Sequence, residues 1–279
     1  MKIRKILKEM AIYGTIVIFL VWCSFPLLYI GLSSFKTRLE CVTIPPVWIF
    51  KPTLENYRAV ILERGFPHFL TNSFIVAIIS TIFSLLIALP AAYSFSRFRF
   101  RGKRWILIWI LGTQMLPALG LTIPMFIIYN TLHLIDTVLV LIITYLIFNV
   151  PYGTFMLKGF LEGISPSAEE SAMVDGCSRL EAFYRVTLPL ALPGLAATAV
   201  FLFIGLWNEF AFALFFTSRN ARTAPTMAVQ FLTHLGVRWG EMFAYASLTV
   251  LPVVIFSILV QRYLVSALTF GMVAKEEET

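Results

Sequence analysis

The side chains with the most chemical character stand together in one polar stretch between two long apolar segments. Glu170 and Asp175 supply carboxylates that can form ion pairs or cap helices, and Gly176 beside them allows a sharp turn. Leu180 and Phe183 follow as apolar side chains. No catalytic cluster accompanies them, so the stretch has the chemistry of a docking site. We interpret it as the point where a membrane protein is attached to a partner that supplies energy.

Local signals predict a helix at the start of this stretch. Ser165 precedes Pro166, and a serine followed by proline at the first helical position is a common helix start. Ser167 with Glu170 offers an alternative capping box that would shift the start slightly. The sequence therefore predicts the helix and leaves its first residue open between these two positions.

A second short helix is predicted after a glycine turn. Gly176 can adopt the left-handed conformation that ends a helix, and Ser178 with Glu181 forms a capping box that opens the next one. Helices of about ten residues are marginal alone in water, so the pair must pack on a surface. The apolar stripe of the second helix consists of Leu180, Phe183 and Tyr184. The groove of a partner is one such surface, and the alternative is an ordinary loop that packs only on its own chain.

The composition places the chain in a membrane. Of its 279 residues, 59% are hydrophobic and 13% are charged, whereas a soluble domain averages about 25% charged. Apolar runs of about 20 residues, the length that crosses the hydrocarbon, recur six times. They cover about 11–33, 69–95, 105–129, 137–157, 191–216 and 243–268. Kinks are predicted at Pro26 and Pro117. The predicted fold is an all-α integral membrane protein with a single transmembrane domain over 1–279.

Basic residues set the expected orientation. They accumulate before the first span and between the second and third, as Lys2, Arg4, Lys5, Lys8, Arg97, Arg99, Arg101, Lys103 and Arg104. Because such clusters stay in the cytoplasm, both termini and the helix–turn–helix at about 158–190 are expected inside. The basic start could also open a signal peptide. The apolar run continues to about Gly31 without a small-residue cleavage site, which favours a retained first span.

The sequence contains no motif for catalysis, a metal or a nucleotide. G-x-x-x-x-G-K-[ST], H-E-x-x-H and C-x-x-C are absent, and His68, His133 and His234 are scattered over the expected outer loops. We therefore assign no catalytic residue, metal ligand or bound cofactor, and the chain is not expected to be an enzyme. The net charge of +7 could suggest nucleic acid, but no such binding motif accompanies the arginines. Energy for transport would have to enter from a partner.

Polar residues inside the apolar spans are the second group of candidates. Asn208 and Glu209 lie well inside the fifth predicted span, and Gln114 lies in the third beside Pro117. Polar groups in hydrocarbon are costly and usually face a bundle interior or a cavity, so these three side chains could line a solute path. Alternatively, they form interhelical hydrogen bonds that hold the bundle together.

The spacing of the polar stretch resembles the EAA loop of ABC importer permeases. That pattern runs E-A-A, two residues, D-G-A, five residues, F, two residues, I, one residue, L-P and a second proline. The matching positions here are Glu170, Ala172, Asp175, Gly176, Phe183, Leu188, Pro189 and Pro193. Ser171, Cys177 and Val186 replace residues of similar size or polarity. In that family the two hairpin helices, with Leu180 among their apolar residues, dock on the ATPase.

Further segments are similar to the carbohydrate branch, in particular to the six-span maltose-permease G group. They are Pro52–Tyr57, Asn72-Ser73, Trp207–Phe210, Gln261–Tyr263 and Ala267–Thr269. The resemblance implies a permease domain in a bacterial or archaeal cell membrane, paired with a second, F-like permease. It also implies two copies of a cytoplasmic ATPase that uses ATP and an extracytoplasmic solute-binding protein that delivers a sugar. The main sugar contacts of that family lie largely on the F-like partner.

Three other classes remain open. A permease for a non-sugar solute, such as an amino acid or phosphate, would share the same loop. A secondary transporter would need intramembrane ion ligands and repeated halves, and no repetition is found. A membrane enzyme would need a polar catalytic cluster at one membrane face, and the sequence offers none.

Overall fold

A computed structural model describes the backbone of residues 2–234 and 236–276 and the side chains of 9–117, 119–234 and 236–261. The basic side chains before Glu9 and the sequence motifs from Arg262 onward lie outside the described side chains. The elements are α1 (Lys2–Ser33), α2 (Arg38–Val42), α3 (Glu55–Arg58), α4 (Phe66–Arg97), α5 (Lys103–Met115), α6 (Ala118–Thr131), α7 (Val138–Glu162), α8 (Pro166–Val174), α9 (Arg179–Ala182), α10 (Leu188–Trp207), α11 (Ala211–Phe216), α12 (Trp239–Glu276), β1 (Leu232–Thr233) and β2 (Gly236–Val237).

Five helices in the described part of the chain are long and apolar enough to cross a membrane. They are Glu9–Ser33, Phe66–Arg97, Val138–Glu162, Arg179–Trp207 and Trp239–Gln261. A sixth span results if α5 and α6, which meet at 95°, count as one broken helix. The all-α membrane fold is thereby confirmed. Pro26 lies within α1.

The break between α5 and α6 follows from Pro117. Leu116 and Pro117 have extended backbones, with ψ of 131° and 113°. A residue that precedes proline is disfavoured in the helical conformation because the proline ring contacts its backbone, and proline itself donates no N–H to the turn before it. The third predicted span is therefore interrupted, as its proline suggested.

The fifth span differs from its predicted bounds of 191–216. The helix begins at Arg179 and ends at Trp207, so α9 and α10 are joined without a loop. The joint is a π-helical turn over Phe183–Thr187, in which the N–H of Leu188 is bonded to the carbonyl of Phe183. Pro189 has no N–H for an ordinary helical bond, and the wider turn accommodates that loss. The predicted second helix is present as α9, but it continues into the fifth span, so the predicted start of that span at 191 is wrong.

By its contacts, the chain divides into two units. One comprises the residues up to His68 together with Met227–Pro252, and the other comprises Phe69–Thr226 with the residues from Val253 onward. In the first unit, the buried Asn56 amide donates to the carbonyls of Ser34 at 2.9 Å and Lys36 at 2.7 Å. These bonds fasten α3 to the segment that follows α1. The prediction of one domain stays a prediction.

Two clusters of buried apolar side chains lie among the described residues of the second unit. One surrounds Tyr145 and Trp207, where α7 packs against α10 and α11. The other surrounds Leu157 and Phe183 and includes the small residues of α4. The packing of α7 on α10 is close at Gly194, where an added Cβ would lie 2.5 Å from the Phe160 ring. We call α8, the Gly176 turn and α9 the hairpin. The second cluster lies beneath this hairpin and supports it.

An aspartate fastens the loop after α11. The Asp136 carboxylate accepts the backbone N–H groups of residues 218 to 221 at 2.9 to 3.2 Å. Burial alone would raise the pKa of Asp136, but these N–H donors hold the pKa well below its ordinary value of 3.8. The stabilisation from the ionised carboxylate is therefore complete above about pH 3.8 and is lost as the pH falls through the lower folded pKa.

Asp136→Asn is expected to loosen this loop locally. An amide carries no negative charge, so the four N–H bonds, all of which reach Oδ1, lose their charge assistance, and the Asn220 side chain loses its acceptor Oδ2. Hydrogen–deuterium exchange should accelerate at residues 218 to 221 and remain unchanged in α7. Glu162→Gln, which alters an exposed ion pair with Lys158, serves as the control and should leave these amides protected. Unchanged exchange in Asp136→Asn would contradict this account of the loop.

Candidate functional site

The first helix of the hairpin begins at the first of the two predicted positions. The Ser165 hydroxyl accepts the N–H of Ser167 at 3.3 Å, and Pro166 is the first residue of α8. Ser167 therefore lies inside the helix, and its predicted capping box with Glu170 is not the helix start. The first turn of the helix is capped by its own neighbouring residues.

The turn at Gly176 has the predicted left-handed conformation, with φ of 95°. The N–H of Gly176 is bonded to the carbonyl of Met173 at 3.1 Å, and the N–H of Cys177 to the carbonyl of Ala172 at 3.0 Å. This pair of bonds is the Schellman motif, in which the residue after the cap must have a positive φ. Asp175 is the cap itself. Ala172 thus contributes its carbonyl to the turn.

The second predicted capping box is also present. The Glu181 carboxylate accepts the N–H of Ser178 at 2.8 Å, and the Ser178 hydroxyl accepts the N–H of Glu181 at 3.3 Å. The direction of α9 is therefore set within three residues of the turn. Both ends of the turn are fixed locally, so the hairpin presents a defined shape to its surroundings.

The apolar stripe of the hairpin is divided between two environments. Leu180 and Tyr184 are 67% and 60% exposed, whereas Phe183 is buried and packs against Tyr93 with ring centroids 4.6 Å apart. In the described structure, Phe183 therefore anchors the hairpin to its own chain. Leu180 and Tyr184 are the apolar side chains that remain available to a partner, and Val174 before the turn is 87% exposed.

The other motif residues fall into the same two groups. Glu170, Asp175 and Pro189 are exposed, whereas Leu188 is half-buried against the second apolar cluster. Glu170 lies in α8 and Asp175 caps it, whereas Pro189 lies in the first turn of α10. The hairpin thus has one face that packs on its own bundle and one exposed face.

Glu169 is the functional candidate that sequence reasoning missed. It is 4% exposed, and its carboxylate accepts bonds from Arg97 Nε at 3.1 Å, from Thr187 Oγ1 at 3.1 Å and from the Tyr93 hydroxyl. We name these four residues the Glu169 cluster. The EAA spacing points to Glu170, and only the tertiary fold distinguishes the buried glutamate from its exposed neighbour. The signal available in the sequence was the adjacent pair Glu169-Glu170, of which the motif uses only the second, together with the basic loop between the second and third spans.

The three predicted path residues all form bonds within the chain. Gln114 Nε2 donates to the carbonyl of Phe148 at 2.9 Å, and Asn208 Nδ2 donates to the carbonyl of Ile204 at 2.8 Å. Both side chains are exposed. Asn208 ends α10, so the prediction that it lies deep within a continuous span is wrong.

Glu209 occupies the break between α10 and α11. Its carboxylate accepts the N–H groups of Phe212 at 2.8 Å and Ala213 at 3.2 Å and the hydroxyl of Tyr145 at 2.6 Å. It thereby satisfies the first free donors of α11, which has no side-chain cap of its own. The apolar composition on both sides concealed this break in the sequence.

The geometry of the hairpin offers an exposed surface for contact. Among the described residues, no group of three histidine, cysteine or acidic side chains is placed to hold a metal. The hairpin is a short, capped, partly buried element that connects spans α7 and α10, with exposed apolar and acidic groups at its tip. A capped hairpin of this kind between two membrane spans is expected of a membrane subunit that contacts other subunits.

Comparison with known proteins gives the family. Residues 81–269 match the binding-protein-dependent transport system inner membrane component. The chain is 33% identical to the trehalose/maltose transport system permease protein MalG of Thermococcus litoralis, over 98% of this chain and 99% of that one. It is 33% identical to the diacetylchitobiose uptake system permease protein DasC of Streptomyces coelicolor, over 93% and 95%.

A solved structure shares the fold. It belongs to a bacterial ABC transporter involved in the import of the acidic polysaccharide alginate, with a TM-score of 0.78, 23% identity and coverage of 92% of this chain and 96% of that one. The present chain belongs to the family of binding-protein-dependent transport system inner membrane components. It is a multi-pass permease subunit of an ABC importer, a transport component and not an enzyme. The predicted family is confirmed, and the secondary transporter and the membrane enzyme are set aside.

Proposed function

We propose that this permease imports a sugar or oligosaccharide and that its hairpin receives the driving force from an ATPase partner. The observation that carries the coupling role is the capped turn with Leu180 and Tyr184 exposed above a buried base. The helix Arg179–Trp207 has 29 residues, or about 43 Å at 1.5 Å per residue, and the hydrocarbon is about 30 Å thick. Its first turns therefore extend beyond the membrane, where exposed apolar side chains mark a contact with another protein.

The family and the resemblance support a proposed set of partners. We propose a heterodimer with a second, F-like permease, two copies of a cytoplasmic ATPase that hydrolyse ATP, and an extracytoplasmic solute-binding protein. Closure of the ATPase pair would move the hairpins and convert the permeases between inward- and outward-facing states. The residues proposed for this contact are Glu170, Ala172, Asp175, Gly176, Leu180, Phe183, Leu188 and Pro189, with Phe183 and Leu188 acting from the buried side.

The orientation is part of the proposal. We place the chain in the cytoplasmic membrane with both termini and the hairpin inside, because Arg97 ends the α4 span and Arg99 and Arg101 follow it. Single cysteines at positions 101 and 219, in a chain whose native cysteines are replaced by serine, test it. An impermeant maleimide should label 219 from outside and 101 only after the membrane is opened. The reverse pattern would contradict the orientation.

For the solute path, we propose Gln114 and Asn208 as the side chains that face the solute. Both are exposed, and each forms one bond to a backbone carbonyl that a solute hydroxyl could replace. Glu209 has three donors already and holds the path wall in this proposal. The sugar contacts would be shared with the partner permease.

The substrate class is tested through the cognate solute-binding protein. Two relatives are named for trehalose/maltose and diacetylchitobiose, which supports a carbohydrate. Native mass spectrometry of the binding protein should release a mono- or oligosaccharide, and the reconstituted complex should take up the same compound when ATP is enclosed with the ATPase. Release and uptake of an amino acid or phosphate would overturn the sugar assignment and leave the permease class unchanged.

A further inference from the structure

The Glu169 cluster connects three segments of the chain at one carboxylate. Tyr93 and Arg97 come from the end of α4, Glu169 from α8, and Thr187 from the π-helical turn that opens α10. The helix before the Gly176 turn and the helix after it are thus both bonded through Glu169 to the end of α4. The cluster joins the base of the hairpin to a span that is distant in sequence.

Arg97 extends the connection to the start of the hairpin. Its side chain is 8% exposed, and each nitrogen has a partner within the chain. Nε donates to Glu169 at 3.1 Å, one terminal nitrogen to the Ser96 hydroxyl at 3.2 Å, and the other to the carbonyl of Ile164 at 2.9 Å. Ile164 belongs to the short connection between α7 and α8. The guanidinium therefore fixes both that connection and α8.

We propose that Arg97 and Glu169 are positioning residues that transmit displacement of the hairpin to α4. The proposal rests on the proposed function, in which the ATPase moves the hairpin. Helix α4 has 32 residues, or about 48 Å at 1.5 Å per residue, and Arg97 is its last residue. A displacement of the hairpin thus acts on the end of a helix that crosses the membrane. Without this bond, the connection at residues 163–165 would bend and absorb the movement.

The chemistry of the cluster suits transmission better than added stability. Desolvation offsets most of the attraction between two buried charges, so the pair contributes little net stability. An ion pair with defined hydrogen bonds nevertheless has one favourable arrangement, whereas apolar surfaces can slide past one another. Removal of one partner leaves the other charge buried without a counter-ion. The pair therefore specifies the position of the hairpin relative to α4.

The first test measures solute uptake per ATP hydrolysed in proteoliposomes that contain the whole complex and its binding protein. Glu169→Gln keeps the size of the side chain and removes its charge. We expect the ATPase subunits to remain bound and uptake per ATP to fall about tenfold, within the range of energetic couplings between sites. The double variant Arg97→Gln with Glu169→Gln removes both charges. It should recover thermal stability relative to Glu169→Gln while uptake per ATP stays low.

A matched control separates coupling from folding. Glu241 is also an ion-paired carboxylate, which accepts bonds from Arg64 at 3.1 Å and Arg238 at 2.9 Å within the first unit. Glu241→Gln should keep the wild-type uptake per ATP whatever stability it loses. Wild-type uptake per ATP in Glu169→Gln, or an equal loss in Glu241→Gln, would overturn the proposal.

A distance measurement supplies a readout that does not depend on the solute. Spin labels at positions 98 and 174, both exposed, report the separation of the α4 end from the hairpin. The distance distribution should be narrow in wild type, with and without nucleotide, and broad in Glu169→Gln. Equal widths in the two proteins would overturn the proposal. If the wild-type complex imports no sugar, the sugar assignment is wrong. The distance measurement still tests whether Arg97 and Glu169 position the hairpin, because it does not depend on the solute.

Discussion

Gly176→Val is expected to yield a complex that is inserted in the membrane but no longer imports. The residue has φ of 95°, a conformation that a β-branched side chain strongly disfavours, at a local cost of about 1–2 kcal/mol. A Cβ there would contact nothing within 4 Å, so the effect comes from the backbone and not from a clash. Relaxation of the turn would redirect α9 and its exposed Leu180. The docking surface would then no longer fit the ATPase.

The measurement is made on the purified complex, where ATPase retention, ATP turnover and solute uptake are determined together. We expect loss of the ATPase subunits or hydrolysis without import. Glu170→Ala should give a milder form of the same defect. Gly14→Val in α1 is the control, because a Cβ at that glycine also contacts nothing and its φ is not left-handed. Normal retention and uptake in Gly176→Val would show that the hairpin is not the coupling element.

Glu209→Gln is expected to destabilise the bundle without changing which solute is carried. The carboxylate accepts three donors, and those of Tyr145, Phe212 and Ala213 belong to buried residues. An amide has one acceptor oxygen, so at least one buried donor is left without a partner, at a cost of about 1–3 kcal/mol. The thermal midpoint of the assembled complex should fall. Relative uptake of competing sugars should stay the same.

Asn208→Ala provides the comparison for this prediction. Its amide forms one bond to the preceding turn of its own helix, so its removal should cost little stability. If Asn208 faces the solute, this variant should change the preference among sugars. A change in preference caused by Glu209→Gln at unchanged stability would instead place Glu209 in the path.

The sequence predicts the hairpin well because its determinants are local. The helix start at Ser165, the left-handed Gly176 and the Ser178–Glu181 box each depend on residues within a few positions of one another. Such signals keep their meaning whatever the rest of the chain does. The same holds for the break before α6, which follows from Pro117 alone.

The features that the sequence analysis missed or misplaced depend on residues distant in the chain. Glu169 and Glu170 are alike in sequence, and burial is decided by Arg97 and Tyr93, which lie 72 and 76 positions away. The end of α10 at Trp207 is likewise not visible in an apolar run. There Glu209 bonds to Tyr145, 64 positions earlier, and caps a new helix. Long-range polar bonds of this kind leave no periodic trace in the sequence.

The central claim is that the exposed face of the hairpin contacts the ATPase. It is tested by a benzophenone side chain incorporated at position 180 or 184, with position 152 in the α7 span as the matched control. All three sites are exposed aromatic or apolar positions. On irradiation of the assembled complex, positions 180 and 184 should give an adduct with the mass of permease plus ATPase, and position 152 should give none. Absence of the adduct at 180 and 184, or equal yield at 152, would contradict the account.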